Sequence, residues 1–222
     1  MEAAGRTSVL FTLKEAAVLS RLPEEKLRRE IERRVITPRG VSVGSAHRLV
    51  FVASEILYFA MLNSFIGVVE LAPTARKEVW RLLGNPSFIG HLDDDRRGAK
   101  TAADRRRNAW VTALDRAWAK RISAAFTVNW HSLIDDVASR IDVYRAGLSR
   151  IHEDEDILGG EPVFRGTRLA VRHIGGMRAN GEPMERIVED YPELTAADVE
   201  FAQMYAQAHP IVGRPSSRAA TA

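Results

Sequence analysis

The chain of 222 residues contains no cysteine. Disulfides, a thiolate nucleophile and cysteine-based zinc sites are therefore excluded, which fits a reducing compartment. Residues 1–6 lack the charged and then apolar pattern of a secretory signal peptide. The longest apolar run, residues 56–69, is interrupted by Asn63, Ser64 and Gly67, and it is too short and too polar to cross a bilayer. We therefore expect a soluble cytoplasmic protein without membrane contact.

The sequence also lacks the short motifs of common enzyme sites. It contains no GxSxG nucleophile elbow, no P-loop and no GxGxxG dinucleotide-binding pattern. Residue types that ligate metals cluster twice, at His91 with the aspartates 93–95 and at His152 with the acidic residues 153–156. Neither cluster has two ligands at helical i, i+4 spacing, so surface loops and helix caps explain them better. We expect no catalysis, no cofactor and no metal.

Charge is distributed unevenly along the chain, although the formal net charge is only +3. Residues 21–39 contain seven lysines and arginines against four glutamates, and residues 96–107 contain six against one aspartate. Residues 182–200 instead contain seven acidic residues and one arginine. This asymmetry indicates a polyanionic partner for the front of the chain and a different partner for the back.

The first part of the chain begins with a predicted pair of helices. Residues 9–11 are compatible with a short strand, and Thr12 and Glu15 then fit a capping box at the start of the first helix. Pro23 begins the second helix, whose apolar side contains Leu27 and Ile31 at helical spacing. Residues 38–40 then end this helix.

A predicted β-hairpin and a third helix follow the pair. The hairpin has strands at 41–43 and 49–51, and Ser54 is the predicted cap of a helix over 55–65. Helix, turn, helix, hairpin and helix are the order of a winged helix-turn-helix, which we predict for residues 1–70. This part of the sequence is also similar to the N-terminal domains of MerR-like regulators and excisionases.

The second helix of this pattern is basic. In a helix-turn-helix, the N-terminal residues of the second helix approach base edges in the major groove, and other cations lie near phosphates. The alternative is a solvated helix face on which glutamates compensate the arginines. We predict a DNA-binding surface formed by Lys26, Arg28, Arg29, Arg33, Arg34 and Arg39, with His47 and Arg48 on the wing.

The middle segment, residues 71–150, is predicted to be mainly helical. One amphipathic helix is expected over 73–83, and another over 132–148 with an apolar face formed by Leu133, Val137, Ile141 and Tyr144. Residues 91–108 are charged and lack an apolar period, so we predict a loop there. Residues 109–128 are ambiguous between helix and strand, with a possible strand over 121–128.

The last third of the chain predicts a hairpin followed by three short helices, in a homeodomain-like module over residues 151–210. The hairpin turns at Arg165 and Gly166, where glycine allows a positive φ. The helices begin near Val171, Pro183 and Thr195, the last with Asp198 in a capping arrangement. The fold class is therefore mainly α with short β-hairpins.

This module carries patterns that resemble one known family. They are GxPVxxGTR at 160–168, ExxxxDYPxLTxxD at 185–198 and HPxxGRP at 209–215. They resemble the domain-of-unknown-function family 433, found in VapB-type antitoxins. The resemblance implies a type II antitoxin that inhibits a PIN-like, metal-dependent ribonuclease toxin and represses its own operon through operator DNA. The alternative is a MerR-like or excisionase-like regulator without a toxin.

The arginines of the last third are the candidates for partner binding. Arg165, Arg168 and Arg172 cluster around the hairpin, while Arg214 and Arg218 lie in a tail, residues 211–222, that we expect to be flexible. Guanidinium groups pair bidentately with carboxylates, and such pairs would exclude magnesium from a carboxylate-lined toxin site. An idle terminus is the alternative for the tail.

Two further expectations concern the helices. The third helix of the module carries Asp198 and Glu200 and no lysine or arginine, which disfavours DNA reading by this helix. Operators read by helix-turn-helix proteins usually consist of two half-sites, so we expect a homodimer. Its contact is predicted on the apolar face of the 132–148 helix or on the Val163 hairpin.

Overall fold

The computed structural model describes residues 10–43, 46–83, 100–123 and 127–210. Within these ranges it describes only the backbone of residues 42–43, 46–47, 100–108 and 110. The chain is mainly helical with two small antiparallel sheets, as predicted. It divides into two compact units, residues 1–145 and 146–222. Among the described helices, none has the length and apolar character needed to cross a membrane.

The first unit opens with the predicted order of elements. They are β1 (Phe11–Thr12), α1 (Leu13–Ser20), α2 (Glu24–Glu32), β2 (Arg39–Val43), β3 (Ala46–Phe51) and α3 (Ala53–Ser64). The strands form one antiparallel sheet in the order β1-β3-β2. Phe11 pairs with Phe51, so β1 extends the predicted hairpin by a third strand.

Local signals in the sequence set the ends of α1 and α2. Thr12 accepts a hydrogen bond from the Glu15 N–H, and the Glu15 carboxylate accepts the Thr12 N–H at 2.6 Å. This confirms the predicted capping box. Arg21 then takes a left-handed conformation, with φ 56°, and ends α1. Pro23 stands immediately before α2, as predicted from its fixed φ.

The start of α3 differs from the prediction. The helix begins at Ala53, so Ser54 lies inside its first turn and is not the cap. The carboxylate of Glu55 instead accepts the Val52 N–H at 2.7 Å and satisfies an otherwise free donor. Because β3 ends at Phe51, the chain enters the helix almost at once. Residues 53–62 are buried on every side, which marks α3 as the central helix of this unit.

Three further helices follow among the described residues of the first unit, and one of them corrects a prediction. They are α4 (Pro73–Leu83), α5 (Lys100–Arg121) and α6 (Trp130–Ser149), the last of which continues beyond the unit boundary. The predicted charged loop over 91–108 is wrong at 100–108, which is helical, while 91–99 lie outside the described residues. The predicted strand over 121–128 is wrong at its described positions. Alanine and arginine favour helix, and Val111, Leu114 and Trp118 bury one face of α5.

The apolar face of α6 is occupied within the first unit. Val137, Ile141 and Tyr144 are almost fully buried there, and the Tyr144 hydroxyl donates to the Glu15 carboxylate at 2.8 Å. Trp130, at the start of α6, packs edge-on against Trp118 with ring centroids 5.5 Å apart. These three side chains are therefore part of the core and unavailable for the predicted dimer contact, whereas Leu133, the fourth residue of the predicted face, is half-buried.

The described part of the second unit, residues 146–210, has a hairpin and three helices in the predicted order. Its elements are β4 (Ile151–His152), a 3-10 turn (Leu158–Gly160), β5 (Val163–Phe164), α7 (Val171–Ala179), α8 (Met184–Asp190) and α9 (Ala196–Ala208). The Phe164 N–H donates to the Leu169 carbonyl at 3.1 Å, and Gly166 has φ 77°, which confirms the predicted turn. Val163 is fully buried, so it is also unavailable as a dimer contact.

Close packing of α7 on α9 forms the core of this unit. A Cβ on Gly175 would lie 2.3 Å from the Ala202 carbonyl oxygen, so only glycine permits the observed approach. The predicted Thr195 cap is confirmed, because its side chain accepts the Asp198 N–H. The helix continues to Ala208.

Candidate functional site

Helix α2 presents a charged face to solvent and buries the opposite face. Leu27 is fully buried and Glu30 is 2% exposed. The exposed residues of the helix are Glu25, Arg28, Arg29 and Glu32, and the exposed Arg33 caps its C-terminus. Three of the predicted DNA-binding arginines therefore extend outward from one short helix and its cap.

The arginines of α2 are paired with glutamates of the same helix. Arg28 lies 2.5 Å from Glu24, and Arg29 pairs with Glu25, both at i, i+4 spacing. The two arginine side chains are 57% and 56% exposed. Exposed pairs of this kind contribute only about 0.3–0.5 kcal/mol. A phosphate group can therefore replace the glutamates at small cost.

One buried carboxylate anchors α2 to the rest of the unit. Glu30 accepts the Tyr58 hydroxyl at 2.8 Å, the Arg76 guanidinium at 2.6 Å and that of Arg33 at 3.2 Å. Burial, together with the charge of Glu30, raises the pKa of Tyr58 and keeps its hydroxyl a proton donor. These contacts connect α2 with α3 and α4, and they fix the orientation of the basic face.

The sequence prediction missed this anchor. Glu30 counts as one more surface acid in the sequence, and its partner Arg76 lies 46 residues away. The one available signal is that Glu30 follows Leu27 by three residues and so shares the apolar side of the helix. A charged residue at such a position requires buried partners, but helical spacing does not identify them.

The remaining predicted DNA-binding residues lie in α2, in the turn after it and on the hairpin. Lys26 is half-buried, and Arg34 is exposed in the turn after the helix with φ 53°. Arg39 and Arg48 are exposed on the hairpin, where Arg48 pairs with Val41, two residues along β2 from Arg39. Arg39 and Arg48 are therefore diagonal neighbours on one face. The side chain of His47 lies outside the described part of the structure.

The predicted partner-binding arginines of the second unit have different environments. Arg165 is exposed and donates to the Ser149 carbonyl at 3.0 Å. Arg168 is exposed and makes no hydrogen bond or ion pair with the described residues. Arg172 is half-buried and donates to the His209 carbonyl at 3.0 Å, so it holds the end of α9. Arg214 and Arg218 lie outside the described residues.

The surface of α9, the third helix of this unit, carries less negative charge than the sequence indicates. Asp198 is 2% exposed, and its carboxylate accepts hydrogen bonds from Thr195 and from Arg150, the latter at 2.6 Å. Its charge is compensated inside the unit and does not repel a polyanion at the surface. In the part of the chain that the structure describes, no group of three or more histidine, aspartate or glutamate side chains is arranged to hold a metal ion.

Residues 151–206 match the family described as a protein of unknown function, DUF433. The resemblance predicted for the C-terminal module is therefore confirmed over these residues. The chain is also similar to the uncharacterized protein y4eO of Sinorhizobium fredii (strain NBRC 101917 / NGR234). The two are 28% identical over 200 residues, which cover 90% of this chain and 81% of that protein.

Among solved structures, the chain is similar to the crystal structure of Rv2018 from Mycobacterium tuberculosis. The alignment covers 87% of this chain and 96% of that chain, at 16% sequence identity and a TM-score of 0.32.

Proposed function

We propose that this protein is the antitoxin of a type II toxin–antitoxin pair and that its first unit binds operator DNA. The observation that carries the DNA-binding part is the solvent-exposed basic face of α2, held in place by the buried Glu30. In this proposal the first unit acts as a winged helix-turn-helix, with α2 as the reading helix and β2–β3 as the wing.

The charges around α2 fit a duplex. Arg28 lies at the centre of α2 and Arg29 in its last turn, both on the face of the helix that is exposed to solvent. Arg34 follows the helix, and Arg39 and Arg48 lie on the hairpin, where they would contact phosphates. Arg28 and Arg29 pair with Glu24 and Glu25 in the free protein, and acceptor atoms on the base edges would replace those carboxylates on binding.

Fluorescence anisotropy with two duplexes tests this part. One duplex carries the DNA immediately upstream of the gene, and the other has the same bases in scrambled order. We expect tighter binding of the upstream duplex by roughly 1,000-fold or more, with affinity for both falling as salt rises. Equal affinity for the two duplexes would contradict operator recognition, and affinity independent of salt would contradict a phosphate-binding surface.

The toxin-binding part of the proposal rests on the second unit. Residues 151–206 match the family that the sequence resembles, and Arg165 and Arg168 are exposed on its hairpin. Arg214 and Arg218 follow Gly213 in the sequence. A PIN-like ribonuclease binds magnesium through carboxylates, and a guanidinium that pairs with these carboxylates would displace the metal.

RNA cleavage by the nuclease encoded next to this gene tests the toxin part. The full chain in excess should inhibit cleavage. A chain truncated after Pro210, or one with Arg214→Glu and Arg218→Glu, should lose inhibition and keep DNA binding. Full inhibition by the truncated chain would show that the tail is idle, and that the folded unit alone inhibits the enzyme.

The alternative function is a MerR-like or excisionase-like regulator without a toxin. The basic face of α2 supports both functions equally, so the second unit distinguishes them. Absence of a neighbouring nuclease gene, together with operator binding as in the first experiment, would favour the alternative.

The proposal includes a homodimer, because two half-sites need two reading helices. Val137, Ile141 and Tyr144 of α6 and Val163 of the hairpin are buried within their own units, so the proposed dimer contact does not use these side chains. Light scattering at micromolar concentration, with and without the upstream duplex, should give the mass of two chains. The mass of one chain under both conditions would overturn the dimer.

A further inference from the structure

A cleft of about 460 Å³ lies beside α2, between this helix and the turn that follows α3. Small-molecule sites in proteins have volumes of roughly 300–1,000 Å³, so the cleft is large enough for a metabolite-sized ligand. Part of its wall is apolar and includes Leu22, Leu62, Phe65 and Val69. Ile66 and Val68 in the same wall are 45% and 78% exposed, so part of the apolar surface is accessible from solvent.

The other wall carries positive charge. It contains the cations Lys26, Arg29, Arg33 and Arg76, and the carboxylates Glu30 and Glu70. Glu30 is already satisfied by Tyr58, Arg33 and Arg76. Glu70 is exposed, and water screens its charge.

Two of the cations remain available to a ligand. Lys26 is half-buried, and its ammonium group makes no hydrogen bond or ion pair with the residues that the structure describes. Arg29 pairs with Glu25, whose side chain is 72% exposed, so this pair exchanges readily. The cleft therefore combines an apolar wall with cations that lack strong partners, which is the chemistry that binds a carboxylate attached to an apolar group.

We propose that this cleft binds a small organic anion, an apolar carboxylate, and that its occupation weakens DNA binding by α2. The second half of this inference rests on the proposed function, because Lys26, Arg29 and Arg33 belong to both surfaces. A carboxylate that pairs with these side chains removes positive charge from the helix that would contact phosphates. The protein would then release its operator when the anion accumulates.

Calorimetry on the full chain without DNA tests the site itself. The probes are phenylacetate, its neutral analogue phenylacetamide, and acetate, which lacks the ring. Phenylacetate should bind roughly 10-fold or more tightly than either of the others, because only it offers both the charge and the apolar group. Equal binding of phenylacetamide, or no heat with phenylacetate at about 10 mM, would overturn the site.

Matched variants locate the site. Val69→Asp places a carboxylate in the apolar wall and should abolish phenylacetate binding, whereas Val69→Asn, of the same size and neutral, should retain it. Lys26→Gln should weaken binding by roughly 10-fold, while Lys77→Gln, an exposed lysine outside the cleft, should have no effect. Unchanged binding by both Val69→Asp and Lys26→Gln would overturn the location.

Anisotropy with the upstream duplex tests the competition. Saturating phenylacetate should raise the apparent Kd of the wild type roughly 10-fold, and the duplex affinity of Val69→Asp should not respond to phenylacetate. Phenylacetate binding without any change in DNA affinity would overturn the competition alone. Failure to bind the duplex at all would overturn the proposed function, while calorimetry would still decide whether the cleft is a site.

Discussion

Arg150 donates a hydrogen bond to Asp198 at 2.6 Å and so connects the residue after α6 with the first turn of α9. Asp198 also accepts the Thr195 N–H at 2.8 Å and the Thr195 hydroxyl at 2.6 Å. The carboxylate is therefore a helix cap and an ion-pair partner at once, although it is 2% exposed. If the Arg150 guanidinium is removed, the buried Asp198 carboxylate keeps its negative charge without a positive partner.

We expect Arg150→Met to destabilise the second unit by about 1–3 kcal/mol, because the buried Asp198 loses its positive partner. Arg186→Met is the matched control. Its pair with Asp190 is exposed, and we expect a change below about 0.5 kcal/mol. Hydrogen exchange of the α9 amides reports the stability of this unit. Equal protection in the two variants would contradict a structural role for the Arg150–Asp198 pair.

Adjacent glycines of α7 should respond in opposite directions to alanine. A Cβ at Gly175 would lie 2.3 Å from the Ala202 carbonyl oxygen, whereas a Cβ at Gly176 would have no neighbour within 4 Å. Gly175→Ala should force α7 away from α9 and destabilise the unit by about 1–3 kcal/mol. Gly176→Ala should stabilise it by about 0.5–1 kcal/mol, since alanine favours helix. Thermal unfolding followed by circular dichroism measures both, and a stabilising Gly175→Ala would contradict the observed packing.

We expect Glu55 to favour the folded first unit more in mild acid than at higher pH. Burial raises its pKa above 4.5, against the opposing effects of the Val52 N–H and of Arg39. The folded state therefore binds the proton at a higher pH than the unfolded chain. The resulting stability is fully present below pH 4.5 and is lost as the pH rises through the folded pKa.

The urea midpoint of the wild type relative to Glu55→Gln should accordingly be higher near about pH 4 than near about pH 8. The glutamine keeps a similar shape and does not titrate in this range. Tryptophan fluorescence follows this unit alone, because all four tryptophans lie in it. Glu32→Gln, at an exposed position of α2, is the control and should show no such difference. A difference of the opposite sign would contradict the raised pKa of Glu55.

Neutralising the glutamates that pair with Arg28 and Arg29 should tighten DNA binding. Glu24→Gln with Glu25→Gln removes both competing carboxylates from the exposed face of α2. We expect the Kd for the upstream duplex to fall roughly 10-fold at low salt, and less as salt rises. Glu78→Gln with Asp115→Asn, which neutralises two carboxylates on α4 and α5 of the same unit, is the control for total charge. An equal gain in both variants would show that net charge, and not the α2 face, sets the affinity.

Local signals predicted much of this fold. The Thr12 and Thr195 caps, the proline before α2 and the positive φ of Gly166 are each decided by residues within a few positions of one another. The predicted start of α3 was wrong because the helix begins directly after the paired strand β3 ends at Phe51. Ser54 is a residue type that favours helix caps, but here it lies inside the first turn. The helix was missed over 100–108 and left open between helix and strand over 109–121, because charged residues hide its sparse apolar period.

The sequence predicted the exposed residues of the candidate site but not the contacts that hold them. Exposed arginines on α2 follow from helical spacing, but their pairing with Glu24 and Glu25 and the anchoring role of Glu30 depend on packing. The Glu30–Arg76 ion pair joins residues 46 positions apart, and no local pattern predicts such a contact. Likewise, the apolar face of α6 was visible in the sequence, but whether it meets its own chain or a second copy was not.

Binding of the upstream duplex by the Arg28→Ala, Arg29→Ala double variant tests the central claim most directly. If these side chains read bases from α2, each contributes roughly 1–3 kcal/mol, and the preference for the upstream over the scrambled duplex should nearly disappear. The matched control is the double variant Arg81→Ala, Arg121→Ala, which removes the same charge from α4 and α5 and should retain the preference. An unchanged preference in the α2 variant, with its fold intact, would contradict the assignment of α2 as the reading helix.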